Sequence, residues 1–568
     1  MISTTWRNAP ELASGRFFVL VPWWCRKWCR DRSSEHRFLQ LTYTRDADGL
    51  VTAVATQTGA LSGNVELCFS AAPSPAVLRG VQTNVAEAGD DSAVNTEILR
   101  GPFGEVEVET YRWDSSACAP AVACSAGCID AGDILLERAY TRDDAGRITD
   151  FTETVGGVAT VHSYAYDARG RLSSHAVDGV IQATYYYDDN GNREDPPGAP
   201  DTRQYDAQDR LLAFDGVSYT HNVQGQRLTA TDDATGEVTA LDYDAAGNLM
   251  AVDLPDGSRV EYETDGQDRR VLKRVFDQND QFTYSWDYIY HSQLHPEAVL
   301  ETNSDGTGHV MFFTYGSKGH VPDTMVREGR TYRLMTDHLG SVRRVVDIAD
   351  GTVVEQLAYD PWGMVLSYTV NEQPVVRAFQ PFGFAGGAYD TETGLVRFGA
   401  RDYEARTGRW LAKDPIRFDG KDPNIYAYVG NDPVNLLDPE GTQYQCTEGT
   451  MSTNPACPGA GRAAAAEVAG GALVNGGRIA GATTFAGVYN GLCEAMQMGK
   501  ASKRTGKERS NDVVSWAKGK SPGPNESCVA FAARLMVMQY GANWKRSGKK
   551  HREFSKIKKW CQRHLRGE

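Results

Sequence analysis

A tyrosine-aspartate pair followed by a glycine and a leucine recurs through the middle of this chain, and that recurrence dictates hairpins. The clearest copies are Tyr166-Asp167-Ala168-Arg169-Gly170-Arg171-Leu172, Tyr187-Asp188-Asp189-Asn190-Gly191-Asn192-Arg193, Tyr205-Asp206-Ala207-Gln208-Asp209-Arg210-Leu211 and Tyr243-Asp244-Ala245-Ala246-Gly247-Asn248-Leu249. A weaker copy spans Tyr219 to Leu228, and earlier echoes begin at Tyr43 and Tyr140. In each unit an aromatic ends one strand and Asp opens the turn through its side-chain oxygen. Gly or Asn takes the positive-φ position, and Leu or Arg starts the return strand. Between turns the chain alternates, as in Arg259-Val260-Glu261-Tyr262-Glu263, the period of a half-buried strand. A spacing of about 20 residues suits one hairpin per repeat, and a lone hairpin is marginal, so the units must stack into a continuous sheet.

A chain of 568 residues exceeds what one core holds, so more than one structural unit is expected. The net charge of −15 hides a division: residues 500–568 carry 18 Lys and Arg against 5 Asp and Glu, a balance of +13, which leaves −28 on the rest. Such asymmetry points to a nucleic-acid or membrane-surface tail, or to a basic cargo held by an acidic container. No apolar run is long enough for a membrane span, and the short aromatic stretch 17–25 is not a signal h-region, so no cleaved leader is expected. The cysteines number 11, and the spacing of Cys118, Cys124 and Cys128 fits a local disulfide better than a zinc knuckle; no metal or cofactor is expected.

The repeats resemble those of the RHS/YD-repeat family, whose hairpins spiral into a hollow shell. The resemblance implies a mainly β fold of this kind over about 137–441, a shell that need not be complete in a chain this short, followed by a small α or α+β module. It divides the chain into degraded YD-like strands at 1–136, shell repeats at 137–336 and a core at 337–441. A linker with an Ala/Gly-rich segment follows at 442–499, and a basic tip at 500–568. The core is read from Asp337-His338-Leu339-Gly340-Ser341, Tyr359-Asp360-Pro361-Trp362-Gly363, Tyr389-Asp390-Thr391-Glu392-Thr393-Gly394-Leu395, Arg401-Asp402-Tyr403, Gly408-Arg409-Trp410, Asp414-Pro415-Ile416, Asn424-Ile425-Tyr426 and Asp438-Pro439-Glu440-Gly441. These match the RHS-associated core, which in the family is similar to an aspartyl autoprotease cutting just after its last Asp-Pro-x-Gly. The resemblance places the two aspartates at Asp414 and Asp438, the supporting arginine at Arg401, and the cut around Gly441, Thr442 and Gln443.

Paired carboxylates cannot both ionise easily, so one stays protonated as an acid while the other activates water, and a guanidinium steadies the developing charge. The plainer reading is that both aspartates only cap Asp-Pro turns. Thr442 stands where the family has leucine, which is expected to slow or shift the cut. His338 is read as a turn or packing residue rather than a catalytic one.

In the tip, Val529, Phe531, Ala532, Leu535 and Met536 give helical spacing after a Ser-Pro-Gly-Pro turn, and Phe554, Ile557, Lys558 and Cys561 suggest a second helix. A nuclease is the leading reading, with Arg534, Lys545, Lys556 and Lys559 on phosphate and Glu526, Glu553 or His551 as acid or base. No P-loop, HExxH or GxSxG motif is present. The expected whole is an RHS-type toxin carrier that encloses its own tip and cuts it free. Its expected partners are an immunity protein, a delivery apparatus and nucleic acid, and it is delivered outside the cell without a classical signal. The alternatives are a non-enzymatic binding or adhesion protein, a remnant of a longer gene, or a tip that is an ADP-ribosyltransferase, an NAD hydrolase or membrane-active.

Overall fold

The computed structural model describes residues 14–20, 38–45, 51–58, 61–69, 78–85, 93–100, 105–114, 132–374, 377–420 and 422–447, with Ala532 and Leu535 in a helix. Two compact units divide the chain, one of Met1–Trp23 with Glu35–Gly476 and one of Trp24–Ser34 with Gly477–Glu568. In the second unit Ala532 and Leu535 are buried, as helical spacing requires of them. The tip residues Glu526, Arg534, Lys545, His551, Glu553, Lys556 and Lys559, and the cysteines at 118, 124 and 128, lie outside the described residues.

Within the first unit the repeats build antiparallel ribbons in which every strand pairs with its neighbours in sequence. One sheet has 12 strands, from Ser14–Leu20 to Val180–Thr184, and another has 17, from Gln204–Tyr205 to Gln373–Pro374. The strands before residue 136 belong to the first sheet without interruption: Val106–Asp114 pairs with Asp133–Arg142. None of the described sheets closes into a barrel.

The turn that joins the strands has one chemistry, well shown at Asp167. Its amide donates to the Arg171 carbonyl and its carbonyl accepts from Gly170, both at 2.9 Å. One carboxylate oxygen, Oδ1, accepts from the amides of Arg169 and Arg171, again at 2.9 Å. The other, Oδ2, takes the Arg171 guanidinium at 2.7 Å. That guanidinium lies 4.5 Å from the ring centre of Tyr187 in the next repeat, whose hydroxyl donates back to the Leu172 carbonyl at 2.6 Å. Asp143 with Arg147 and Tyr166 repeats the arrangement, and Asp206 with Arg210 and Asp265 with Arg269 repeat its carboxylate pairing. Tyrosine, aspartate and the arginine four residues on thus form a single clasp. Gly170 takes the positive-φ position at 86°, but in the Tyr205 copy Asp209 does so at 60°, which corrects the expectation that only Gly or Asn serves there; Asp tolerates this region through its short polar side chain.

The strand register slips at the residue before the turn, between Ala165 and Tyr166, Asp242 and Tyr243, and Met335 and Thr336. The bulges in these hairpins strengthen the right-handed twist, so the ribbon winds instead of lying flat. The winding brings the first sheet onto the second. Val94, Tyr111 and Leu136 share a core with Met335, Val346 and Ile348. The Thr336 carbonyl accepts from both Tyr111 Oη and Arg138, and the Ile348 carbonyl accepts from the Trp113 indole at 2.7 Å.

A short sheet of four strands, Ala388–Tyr389, Leu395–Phe398, Arg401–Glu404 and Arg409–Trp410, sits at the end of the ribbon. Phe398, Tyr403, Trp410 and Tyr428 stack on it, Tyr403 and Tyr428 with ring centres 4.4 Å apart. His338 is half-buried against Tyr140 and Phe151, with Nε2 2.7 Å from the Val434 carbonyl, a packing role.

Candidate active site

Arg401 opens the strand Arg401–Glu404, and the aromatic stack holds it from below: its guanidinium lies 4.0 Å from the Trp410 ring centre. One nitrogen, Nη2, contacts Asp414 Oδ2 at 2.8 Å and Asp438 Oδ2 at 3.1 Å. The Nε donates to the Gly441 carbonyl at 2.5 Å, and Nη1 reaches the Ile425 carbonyl at 3.5 Å. All three charged side chains are buried, Asp438 at 2% exposure. The structure therefore joins the three residues singled out by sequence to the chain segment singled out for cutting.

Each aspartate also makes a turn. Asp414 Oδ1 accepts from the Ile416 amide at 2.9 Å and its carbonyl accepts from Arg417. Asp438 Oδ1 accepts from the Thr442 amide at 3.0 Å and the Gln443 amide at 3.2 Å, and its carbonyl accepts from Gly441. Capping and pairing are done by different oxygens of the same carboxylate, so the turn leaves Oδ2 of each aspartate to Arg401.

Gly441 has a φ of 67°, and a Cβ there would lie 2.3 Å from the Phe398 carbonyl oxygen, so only glycine fits. The Glu440 carbonyl accepts from the Ala400 amide at 2.9 Å, pinning the turn to the Arg401 strand. On the far side of the turn, Gln445–Cys446 returns to pair with Leu436–Leu437, and the Thr447 amide donates to Asn435 at 3.2 Å. The segment 438–444 is thus the loop of a hairpin whose two strands remain joined.

Burial pushes the Asp414 carboxyl above the ordinary carboxylate range, with the Asp438 charge adding and Arg401 opposing. Burial raises Asp438 as well, against Arg401 and the two amides. Burial pulls Arg401 down, while both carboxylates hold it up. One guanidinium cannot neutralise two carboxylates, and the raised direction of both carboxyls agrees with that shortfall.

Two neighbours were not singled out by sequence. A Cβ on Gly420 would lie 2.8 Å from the Thr442 carbonyl oxygen and 3.1 Å from Asp414 Oδ2, so this glycine makes room for both. Asp422, tied to the amides of Asn424 and Gly430, adds a third carboxylate to the field at Arg401. Gly420 belongs to no motif that would have marked it, whereas Asp422 precedes Pro423 just as Asp414 and Asp438 precede theirs, a signal that could have found it. Among the described residues no cluster of His, Cys, Asp and Glu could hold a metal ion, and no helix is long and apolar enough to cross a membrane.

A family profile described as Teneurin YD-shell matches residues 132–434. The chain is similar to Teneurin-1 of Mus musculus, 28% identical over 308 residues, 52% of this chain and 11% of that protein. It is also similar to Toxin protein Tse5 of Pseudomonas aeruginosa, 27% identical over 442 residues, 67% of this chain and 31% of that protein. It spans about a tenth of the one and under a third of the other. Among solved structures, the one titled Crystal Structure of TcdB2-TccC3-TEV aligns with 78% of this chain and 21% of its own, at 19% identity and a TM-score of 0.44.

Proposed function

The chain belongs to the Teneurin YD-shell family, and from that premise we propose that it is the shell and core of an RHS-type toxin carrier that cuts itself between Gly441 and Thr442. The observation that carries the reading is the triple use of Arg401, which holds Asp414, Asp438 and the Gly441 carbonyl at once. Arg401 Nε polarises that carbonyl and steadies the oxyanion. One of the two carboxyls, Asp414 or Asp438, takes a proton from the attacking water, while the other, protonated, gives one to the Thr442 nitrogen as the C–N bond breaks. The products are a carboxylate on Gly441 and an amine on Thr442. The similarity to Toxin protein Tse5 over 67% of this chain supports the carrier role. The basic segment 500–568 then becomes the released tip, with nucleic acid as its substrate, and delivery outside the producing cell follows from the same reading.

Intact-mass measurement under reducing conditions tests this, because Cys446 is disulfide-bonded and a disulfide must not hold the pieces together. The wild type should yield masses for 1–441 and 442–568, whereas Asp414→Asn and Asp438→Asn should stay whole. A single full-length mass in all three leaves both aspartates as turn residues. The similarity to teneurins favours a second reading, a non-cleaving binding protein, and that result would select it.

A further inference from the structure

We propose that Lys273 and Asp390 join in a side-chain amide, a covalent tie between the 17-stranded sheet and the four-stranded core sheet. Lys273 lies in the strand Arg270–Phe276, and Asp390 follows the strand Ala388–Tyr389. Both are 2% exposed. Lys273 Nζ stands 2.9 Å from Asp390 Oδ1 and also contacts Glu392 Oε2. The surrounding walls are aromatic, with Nζ 5.3 Å from the ring centre of Trp286 and 5.4 Å from that of Tyr284. Asp390 Oδ2 accepts from the Tyr262 hydroxyl, and Glu392 Oε1 accepts from the Tyr284 hydroxyl.

Glu392 touches both partners, because its carboxyl also hydrogen-bonds that of Asp390. A hydrogen bond between two carboxyls needs a proton on one of them. Burial pushes Glu392 up, with Lys273 opposing and Asp390 adding, so the proton sits on Glu392. Against burial, Lys273 holds Asp390 down, and Asp390, Tyr284 and Glu392 hold Lys273 up. An amine, a carboxylate and a neutral acid are thus packed together away from water. In bulk water such an amine and carboxylate stay apart as ions. Fixed contact is worth an effective concentration of about 10⁵ M or more, and the amide replaces a buried pair of ions by one neutral group.

The step balances. Lys273 passes one proton to Asp390 Oδ1, and its neutral Nζ attacks the Asp390 Cγ. The Nζ–Cγ bond forms and an electron pair moves onto Oδ2, where the Tyr262 hydroxyl steadies it. Glu392 gives its proton to the departing Oδ1 and takes one from Nζ, the Cγ–Oδ1 bond breaks, and one water leaves. Glu392 ends as it began, and no oxidant or reductant takes part.

The test is peptide mapping of the full chain. Both residues precede Gly441, so cut and uncut protein give the same reading. After denaturation and trypsin, a free Lys273 ends a peptide of its own. The linked chain instead yields a branched peptide of 271–274 with 378–397, lighter than their sum by one water. Glu392→Gln should lower the linked fraction about tenfold or more, and Lys273→Arg should abolish it. Free Lys273 throughout the wild type overturns the proposal whatever the variants do. An undiminished branched peptide in Glu392→Gln overturns the part given to Glu392, and one that joins Lys273 to Glu392 overturns the choice of Asp390.

Discussion

The repeat turns and the core turns begin from the same residue and the same hydrogen bonds, and differ in who answers the second carboxylate oxygen. At Asp143, Asp167, Asp206 and Asp265 the answer is local: an arginine four residues on, one cation to one anion. At Asp414 and Asp438 the local arginine is missing, and both second oxygens converge on Arg401 from other parts of the core. In the first case the carboxylate is a finished piece of scaffold. In the second it is left with an unmet half-charge in a dry place, which is the condition for holding and passing a proton. In the proposed reading, a turn would become a reactive site by losing its private counter-ion, not by changing its backbone.

Replacing the shared cation should have the largest effect. Arg401→Lys offers one point charge where three directed contacts stand, and cutting should slow by about 10²- to 10³-fold. Arg401→Met should also destabilise the fold by about 3–5 kcal/mol in denaturant titration, because two buried carboxylates lose their partner. The corresponding Arg269→Lys in a repeat turn should leave the cutting rate unchanged; if it slows cutting equally, the distinction between the two kinds of turn collapses.

Gly420→Ala probes the crowding around Asp414 without touching charge. The added methyl must displace the carboxylate or the Thr442 carbonyl by a few tenths of an ångström, and cutting should fall about tenfold in a time course of intact mass.

A third kind of carboxylate extends the comparison. Glu355 is 1% exposed and is answered by Tyr368, Gln380 and the Phe379 amide, all uncharged donors. Burial pushes it up to about 7. The folded chain therefore keeps its proton in the range where the unfolded chain has lost it. The stability from that proton is complete below about 4.5 and is lost as pH rises through 7. Unfolding free energy should drop by about 2 kcal/mol between pH 5 and 8, and Glu355→Gln should flatten that drop.

The smallest effect belongs to the repeat itself. Asp265→Ala removes the one oxygen that accepts from two amides and the partner of Arg269, and should cost about 1 kcal/mol with no change in cutting.

Much of this was legible in the residues. The tyrosine-aspartate period showed where hairpins turn, because Asp and Gly are local in their action, and the resemblance of the core motifs to the RHS-associated core implied Arg401, Asp414 and Asp438. The pairing of the repeat aspartates with an arginine four residues on was also written in the sequence, at Asp143-Arg147 and Asp167-Arg171, yet the arginine was read only as the start of a strand. What could not be read was long-range. Nothing near Thr336 says that its carbonyl receives Tyr111 and Arg138, since that contact arises from accumulated twist over many hairpins. Gly420 was invisible for a related reason: its importance lies in what it lacks, and the atoms that need the space belong to Asp414 and Thr442. The tip's residues were chosen by charge and helical spacing alone, and they lie outside the described residues.

The hairpin formed by Leu436–Leu437 and Gln445–Cys446 changes what a cut at Gly441 would accomplish. Severing a loop does not part its strands. The new carboxylate would arise beside Arg401 Nε and the new ammonium beside Asp438 Oδ1, each already facing an opposite charge. Scission would convert one molecule into a two-component complex with its ladder intact, so that under reducing conditions, where the Cys446 disulfide is open, release begins with the opening of a two-residue zipper. A covalent question becomes a question of residence time, to be answered by dissociation kinetics and not by the rate of hydrolysis.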